Sequence, residues 1–166
     1  SGTYITQVAQ WQWLVPRTSG GIAVSDVRDI AQGHLAAAKK GQTGERYILS
    51  SENLSNDEWF RLIADCLGVA PPIFPTPNSL IPIVAKIIDG LRAIGIQTVI
   101  NADQVRLGAK FVYFDASKAH QDLYQPQITM RDSVQETVEW YRQAGYIKED
   151  KRFRFLKFVG EIWHRR

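Results

Sequence analysis

Glycines spaced along a loop between a strand and a helix could hold the pyrophosphate of a dinucleotide, and the glycines of this sequence lack that spacing. Such a loop needs them at fixed intervals, so that backbone amides can approach the phosphates at the start of a helix. Gly41 and Gly44 have no third glycine, because Tyr47 stands at the next position of the pattern. Gly90 and Gly95 are misspaced and follow a helical pattern. Turns and helix ends explain these glycines better, so the sequence predicts no cofactor-binding residue in this chain.

A tyrosine with a lysine four residues later could pass a proton to a carbonyl, and no tyrosine here has that partner. The tyrosines stand at positions 4, 47, 113, 124, 141 and 146. Tyr113 comes nearest, but Ser117 is four residues later and Lys118 is five. The sequence therefore predicts no catalytic residue in this chain.

Histidines and charged side chains are the remaining candidates for chemistry. His34 lies in an alanine-rich helical pattern, so packing or capping explains it better than catalysis. Asp29 is interpreted as a helix N-cap with Arg28 as its local partner, and a charged active-site cluster is the alternative. His120 and His164 have no cysteine or paired histidine at ligand spacing, so no metal site is predicted.

Composition indicates one soluble domain. The chain has 166 residues, of which 45% are hydrophobic and 22% charged, and such a chain can bury a substantial core. Cys66, the single cysteine, falls in an amphipathic helical pattern and is predicted to pack in the core in a reducing compartment. The sequence shows neither an apolar run of the roughly 18 residues that a spanning helix needs nor a signal-peptide pattern, so we expect a cytoplasmic location.

The net charge of +3 is concentrated at the end of the chain. Residues 148–166 contain seven basic and three acidic side chains, so they carry +4 and the remaining residues carry −1. A near-neutral body does not have the charge distribution of a nucleic-acid-binding domain, and no nucleic-acid partner is expected. Apolar residues of this tail follow helical spacing. A basic amphipathic tail docked on the body or on a second subunit is the preferred interpretation, and contact with an anionic membrane surface is the alternative.

Hydrophobic spacing predicts a mixed α/β fold that is mainly helical with a few short strands. Helices are expected near residues 3–13, from Asp26 or Asp29 to Gly41, from Ser55 to Gly68, and over residues 80–94, 101–108, 115–123 and 131–144. Strands are expected near residues 22–27, 45–50 and 111–114. Ser55 and Glu58 have the spacing of a capping box, and four prolines between residues 69 and 78 predict an extended wall or a hinge.

Four blocks of sequence resemble, in order, the C-terminal part of extended short-chain dehydrogenases, the NAD-dependent epimerase/dehydratase family. These blocks are residues 24–34, residues 44–49 with 52–55, residues 114–119 and residues 133–146. The usual Arg-Asp-Tyr or Arg-Asp-Phe of nucleotide-sugar epimerases is replaced by residues 22–24, Ile-Ala-Val. The Asp-Val-Arg-Asp at residues 26–29 is more similar to the dihydroflavonol-reductase and cinnamoyl-CoA-reductase branch.

The resemblance implies that residues 1–147 are a substrate-binding C-terminal region that lacks most of the Rossmann sheet. Such a region would serve an NAD(P)-dependent oxidoreductase or epimerase/dehydratase acting on a carbonyl or sugar-like molecule, and would be inactive alone. NADP or NAD and the proton-donating tyrosine would belong to a Rossmann half that precedes Ser1. The alternative is a standalone binding or oligomerisation module derived from the family, for which a homo-oligomer is possible.

The candidate substrate-pocket residues form two groups. One face of the first predicted helix carries Tyr4, Gln7 and Trp11. The segment after the long apolar helix, where related enzymes cover the substrate, carries Asn101, Gln104 and Arg106. Arg106 could pair with a carboxylate or phosphate of a substrate, because its guanidinium is a planar two-point donor. Surface or inter-domain packing is the alternative for all six.

Overall fold

The computed structural model describes residues 2–11, 17–72, 76–96, 98 and 101–147. Its elements are α1 (Gly2–Trp11), β1 (Gly21–Val24), α2 (Val27–Lys40), β2 (Glu52–Ser55), α3 (Asn56–Leu67), a 3-10 turn (Asn78–Leu80), α4 (Ile81–Ala93), α5 (Ala102–Gly108), β3 (Phe111–Val112), α6 (Ser117–Asp122) and α7 (Met130–Gln143). The expected mixed fold, mainly helical with a few short strands, is confirmed.

The three strands form one small mixed sheet in the order β2-β1-β3. β1 runs antiparallel to β2, with Gly21 opposite Ser55, and parallel to β3, with Gly21 opposite Phe111. Gly20 leads into this sheet and donates its amide to the carbonyl of Gly108 at 3.1 Å. A Cβ atom at Gly20 would collide with the backbone of Gly108 and Lys110, so this close approach requires glycine.

The strand predicted over residues 45–50 is wrong, because the second strand lies at Glu52–Ser55. The apolar run around Ile48 suggested a buried strand, yet Ile48 is exposed and residues 45–50 have no regular structure. Hydrogen bonding to β1 determines which residues form the ladder. Glu52 and Asn53 can form this outer strand because they keep polar side chains in solvent.

Of the two N-caps predicted for α2, Asp26 is confirmed and Asp29 is wrong. Asp26 caps α2, with its carboxylate accepting the amide of Arg28 at 2.8 Å. The Asp29 carboxylate is buried and accepts the amides of Gln127 and Ile128 at 3.0 and 3.1 Å. Asp29 therefore holds the loop before α7. This loop is nearly one hundred residues from Asp29 in the sequence.

The core lies where α3 packs against α1 and α7. Its buried members come from these three helices and are Ile5, Val8, Trp59, Phe60, Ile63, Ala64, Cys66, Leu67, Val134 and Val138. Cys66 is buried as predicted, and its burial raises the pKa of its thiol. The predicted capping box of Ser55 and Glu58 is present, and α3 ends at Gly68, whose φ of 73° favours glycine.

Helices α4 and α5, with the 3-10 turn before them, form a packed pair that we call the helical arm (residues 78–108, of which 97, 99 and 100 lie outside the described part). Ile81 and Ala85 are the buried residues of α4, and Ala102 and Val105 are those of α5. Buried residues on each helix of the pair give the arm a small apolar centre of its own.

The predicted tail, residues 148–166, lies outside the described residues, and the boundary proposed at residue 147 stays a prediction. None of the described helices combines the length and apolar character that crossing a bilayer requires.

Candidate functional site

Two of the three predicted pocket residues of α1, Tyr4 and Gln7, take part in the packing of this helix. The ring of Tyr4 meets that of Phe60 edge-on, with centroids 5.9 Å apart. Gln7 is buried, one turn further along the helix. Trp11 is the last residue of α1, and its side chain lies outside the described part. The structure thus joins Tyr4 to the core between α1 and α3, and a substrate contact of this group stays a prediction.

Asn101 and Gln104 form a capping box at the start of α5. Asn101 Oδ1 accepts the amide of Gln104 at 2.7 Å, and Gln104 Oε1 accepts the amide of Asn101 at 3.0 Å. These two side chains therefore satisfy amides that the first turn of a helix leaves without helical partners.

Arg106 joins the two helices of the arm through ion pairs. Its Nη2 lies 2.7 Å from Asp89 Oδ2 on α4, and its Nη1 lies 2.9 Å from Asp103 Oδ1 on α5. Hydrogen bonds to Asp89 and then to Asp103 raise the pKa of Arg106. Its positive charge is thus matched by two carboxylates, and its guanidinium keeps α4 and α5 together.

Asn101, Gln104 and Arg106 lie together on α5 and at its start. Tyr4, Gln7 and Trp11 lie on α1. Within the described ranges, no hydrogen bond or ion pair joins the two groups. The two predicted groups therefore have different structural roles. The α1 group contacts the core, and the α5 group assembles the arm.

An exposed apolar stripe on α4 was missed by the sequence analysis. It consists of Ile83 and Ile87 on α4, Leu80 in the 3-10 turn directly before it and Ile94 at its C-cap, which are 55%, 57%, 46% and 73% exposed. Their spacing places them on one face of the helix. The sequence indicated only the apolar character of residues 80–94, and the packing of α4 on α5 determines which of these residues stay exposed. This α4 stripe is the part of the arm that a ligand or another protein surface could cover.

A polar cleft of about 470 Å³ opens beside the ends of β2 and β3. Its polar groups hold neighbouring loops. The Asn53 side chain binds both the carbonyl and the amide of Phe114, at 2.9 and 3.2 Å. His120 Nε2 lies 2.8 Å from the carbonyl oxygen of Ser50. The Ser117 hydroxyl, which also lines the cleft, donates to the Asp115 carboxylate, and the same carboxylate accepts the Ser117 amide, so this pair belongs to the turn before α6.

Known proteins share this sequence and fold over most of the chain. A dihydroflavonol 4-reductase-like protein of Synechocystis is 32% identical over 138 residues, which cover 77% of this chain and 39% of that protein. Short-chain dehydrogenase/reductase family 42E member 1 of Xenopus laevis is 25% identical over 151 residues, covering 82% and 38%. The crystal structure of a nucleoside-diphosphate-sugar epimerase from Pseudomonas aeruginosa matches with a TM-score of 0.69 at 26% identity, covering 89% and 43%.

The chain belongs to the extended short-chain dehydrogenase/reductase family. It spans about two fifths of the length of the relatives that it matches, in keeping with their C-terminal part. No family model matches the chain.

Enzymes of this family use NAD or NADP, and the described residues do not fit such a dinucleotide. Each of the three strands is followed by a helix, and a carboxylate of the chain itself already occupies the start of that helix. The carboxylates and the amides bound to them are Asp26 with Arg28, Glu58 with Ser55, and Asp115 with Ser117, at 2.8, 2.8 and 2.9 Å. A pyrophosphate needs free amides and repels a carboxylate. None of these three junctions can therefore hold the phosphates.

Proposed function

We propose that this chain is the substrate-binding portion of an NAD(P)-dependent oxidoreductase or epimerase/dehydratase that acts on a carbonyl or sugar-like small molecule. The observation that carries the proposal is the α4 stripe. Apolar surface that a domain leaves exposed in one contiguous patch usually marks a ligand-binding or interaction surface. The family relationship favours a ligand, because the C-terminal part of these enzymes closes the substrate pocket.

The arm is built as a stable wall for such a pocket. Its two helices share buried side chains, its second helix begins with a capping box, and Arg106 links both helices. A wall that is rigid before binding loses little conformational entropy when a ligand covers it. Fully burying an isoleucine contributes roughly 1.5–3 kcal/mol, and covering the exposed half of Ile83 or Ile87 contributes about half of that, so the stripe could supply part of the binding of a small substrate.

The cofactor is assigned to a part of the protein outside the described residues, since the three strand-to-helix junctions do not fit it. When bound there, NADP or NAD would exchange hydride with the substrate. The described residues would bind the substrate, orient it and keep water away from it.

The test compares this chain with the full product of its source gene. Titrating the chain with NADPH should give no saturable binding, because its helix starts are occupied by carboxylates. The full product should oxidise NADPH when given aldehydes or ketones. In that product Ile87→Glu should raise the KM for the carbonyl substrate and leave the KM for NADPH unchanged. Saturable NADPH binding by this chain, or an unchanged carbonyl KM in the variant, would contradict the proposal.

Ile48→Glu is the matched control. Ile48 is 47% exposed, yet it lies on the loop before β2 and not on the arm. A charged side chain should be tolerated at both positions because both already contact solvent, and only the stripe variant should change the carbonyl KM.

A standalone binding or oligomerisation module is the second candidate, and the outer edge of β3 favours it. β3 pairs with β1 on one side, and no described strand pairs with its other side. Phe111 and Tyr113 are exposed beside this edge, with ring centroids 5.3 Å apart. Exposed strand edges with large apolar side chains pair readily with another chain.

Sedimentation analysis distinguishes this second candidate. A self-associated species that Phe111→Lys converts to a monomer would favour a module that works through its sheet edge. A monomer whose sedimentation is the same in wild type and variant would count against it.

A further inference from the structure

We infer that an aromatic groove at the end of α7 is covered by the basic C-terminal tail of the same chain, residues 148–166. The groove has a volume of about 330 Å³ and lies between the start of α1 and the last turn of α7. Its lining residues are Gly2, Thr3, Thr6, Trp140, Tyr141 and Tyr146. The inference is independent of the proposed function, because the groove shares no residue with the α4 stripe.

Three aromatic rings form one wall of the groove. The ring of Trp140 stacks on that of Tyr146, with centroids 5.7 Å apart, and the ring of Tyr141 lies 5.3 and 5.6 Å from these two rings. Trp140 and Tyr146 are nevertheless 56% and 59% exposed. Aromatic rings carry a large apolar area, so a contiguous exposed set of them usually marks a surface that another segment covers.

The backbone brings the tail to this groove. Gly145, whose φ is 76°, reverses the chain after α7. The amides of Tyr146 and Ile147 then donate back to the carbonyl of Tyr141 at 2.9 and 3.3 Å, and Ile147 packs against the core. Residue 148 therefore continues from a fixed point beside the groove.

The tail supplies the apolar side chains that such a groove requires. The first of them are Phe153, Phe155 and Leu156. A segment spans at most about 3.5 Å per residue, so the six residues from Ile147 to Phe153 reach about 20 Å. The tail is thus long enough to place one of these side chains in the groove.

An acidic ridge runs along α7 beside the groove. Its carboxylates belong to Asp132, Glu136 and Glu139, which lie within about 60° of one another around the helix axis at about 100° per residue. Trp140 is one turn beyond Glu136 and about 40° from it around the same axis. The ridge therefore borders the aromatic groove.

Two carboxylates of this ridge have no basic partner in the described part of the chain. Asp132 accepts the hydroxyl of Thr129 at 2.7 Å, and Glu139 accepts the side-chain amide of Gln135 at 2.9 Å. Glu136 is matched by Arg28, at 2.9 Å. The ridge thus keeps a net negative charge.

The basic side chains of α7 have other partners. Arg131 pairs with Asp65 at 3.4 Å, and Arg142 donates to the carbonyl of Leu67 at 2.9 Å. Helix α1 contains no charged residue. Because the tail carries +4, its charge complements this surface, and complementary charge selects the segment that docks more than it adds affinity.

The same ridge disfavours an anionic membrane as the partner of the tail. Docking on the body places basic side chains near Asp132 and Glu139. A membrane of negative charge beside the groove would instead be repelled by these carboxylates.

The first experiment measures how fast hydroxyl radicals oxidise Trp140 and Tyr146 in the full chain, with the modified residues located by mass spectrometry. In the wild type both side chains should react slowly, because the tail covers them. The double variant Phe155→Asp/Leu156→Asp should release the tail and raise both rates severalfold. Tyr113, which is 42% exposed beside β3, is the internal reference and should react equally in both proteins.

The second experiment tests the groove from the side of the body. Trp140→Glu should speed the hydrogen exchange of the amides of residues 153–159, because the groove no longer accepts apolar side chains. Tyr113→Glu is the matched control, an aromatic residue replaced at another exposed position, and should leave this exchange unchanged. Asp132→Lys/Glu139→Lys should also speed the exchange, because the reversed charge repels the tail.

Oxidation of Trp140 at the same rate in the wild type and in Phe155→Asp/Leu156→Asp would overturn the inference, since the groove would then be open or covered by another segment. Protection that disappears on dilution, together with a dimer in sedimentation analysis, would assign the groove to the tail of a second copy and would overturn it as well. So would protection of Trp140 that appears only when phosphatidylserine vesicles are added.

Discussion

Asp26 and Arg28 form a two-point ion pair at the start of α2, with Nε–Oδ1 and Nη2–Oδ2 distances of 2.9 and 3.0 Å. The same guanidinium lies 2.9 Å from Glu136 on α7. Asp26 is buried and also hydrogen-bonds the side chain of Ser133. Hydrogen bonds from Arg28, which outweigh the effect of burial, hold the pKa of Asp26 well below its usual range. A small charged network thus joins the starts of α2 and α7.

The stability that Asp26 provides should depend on pH. Because its pKa is lowered in the folded state, its contribution is fully present above about pH 4, near its pKa in the unfolded chain, and is lost as the pH falls further. The difference in unfolding free energy between wild type and Asp26→Asn should be constant from about pH 5 to 7 and shrink below about pH 4. Urea denaturation at a series of pH values measures this difference. Asp122→Asn, at an exposed carboxylate, is the control and should differ little from wild type in unfolding free energy at every pH. A difference between wild type and Asp26→Asn that grows in acid would contradict the prediction.

The start of α5 should depend on Asn101. Asn101→Ala removes the side chain that accepts the amide of Gln104, and loss of an N-cap costs about 1 kcal/mol. We expect faster hydrogen exchange of the α5 amides, measured by mass spectrometry or NMR. Asn101→Asp supplies another good capping side chain and should retain protection. Equal exchange in the wild type and the alanine variant would show that the arm does not depend on this cap.

Local spacing explains which features could be predicted from the sequence. Ser55 and Glu58 stand three residues apart, so their reciprocal hydrogen bonds depend on one helical turn and on no other part of the chain. Cys66 was predicted to be buried because helical periodicity alone indicates the inner face of α3. Such features follow from interactions within a few residues.

Long-range partners explain the two errors. Residues 45–50 have the apolar pattern of a strand, but β1 hydrogen-bonds with Glu52–Ser55, and pairing between distant segments is not visible in either segment alone. Asp29 lies at a position typical of an N-cap, but its carboxylate is turned to the amides of the loop before α7. Both errors arise where a distant segment supplies the hydrogen-bonding partner.

The candidate site residues show the same difference between local and long-range interactions. Asn101 and Gln104 have the three-residue spacing of Ser55 and Glu58, so their capping box could have been predicted from the sequence. Pairing of Arg106 with Asp89 requires the packing of α4 on α5, which the sequence does not specify. The α4 stripe depends on that same packing, because only the contact with α5 determines which apolar residues stay exposed.

The centre of the core should be sensitive to a single truncation. Ile63 is fully buried on α3, and Ile63→Ala should reduce the unfolding free energy by about 2–5 kcal/mol through lost burial and a cavity. Urea denaturation measures the loss. Leu35→Ala removes a side chain that is 54% exposed on α2, and we expect a change within about 1 kcal/mol. Similar losses in the two variants would mean that α3 is not the centre of the core.

Among the buried polar groups, we expect substitution of Asp29 to reduce the unfolding free energy most. Its side chain is 2% exposed, and its two oxygens accept the amides of Gln127 and Ile128. Asp29→Ala removes the charged acceptor of both amides, and a hydrogen bond to a charged group contributes about 1.5–3 kcal/mol. Because both hydrogen bonds are only partly buried, water replaces part of this contribution, and we expect a total loss of roughly 2–5 kcal/mol in urea denaturation. Asp29→Asn retains one acceptor oxygen and should lose less.

Hydrogen exchange locates the effect of Asp29. The amides of Gln127 and Ile128 should exchange faster in Asp29→Ala, because the carboxylate no longer holds them, while amides in the middle of α3 should change only through the lower global stability. Asp122→Ala, at an exposed carboxylate, is the control and should leave both loop amides as they are in the wild type. If the two loop amides keep their protection in Asp29→Ala, another group holds the loop. The ion pairs of Arg28 would then be the interaction that connects α2 with α7.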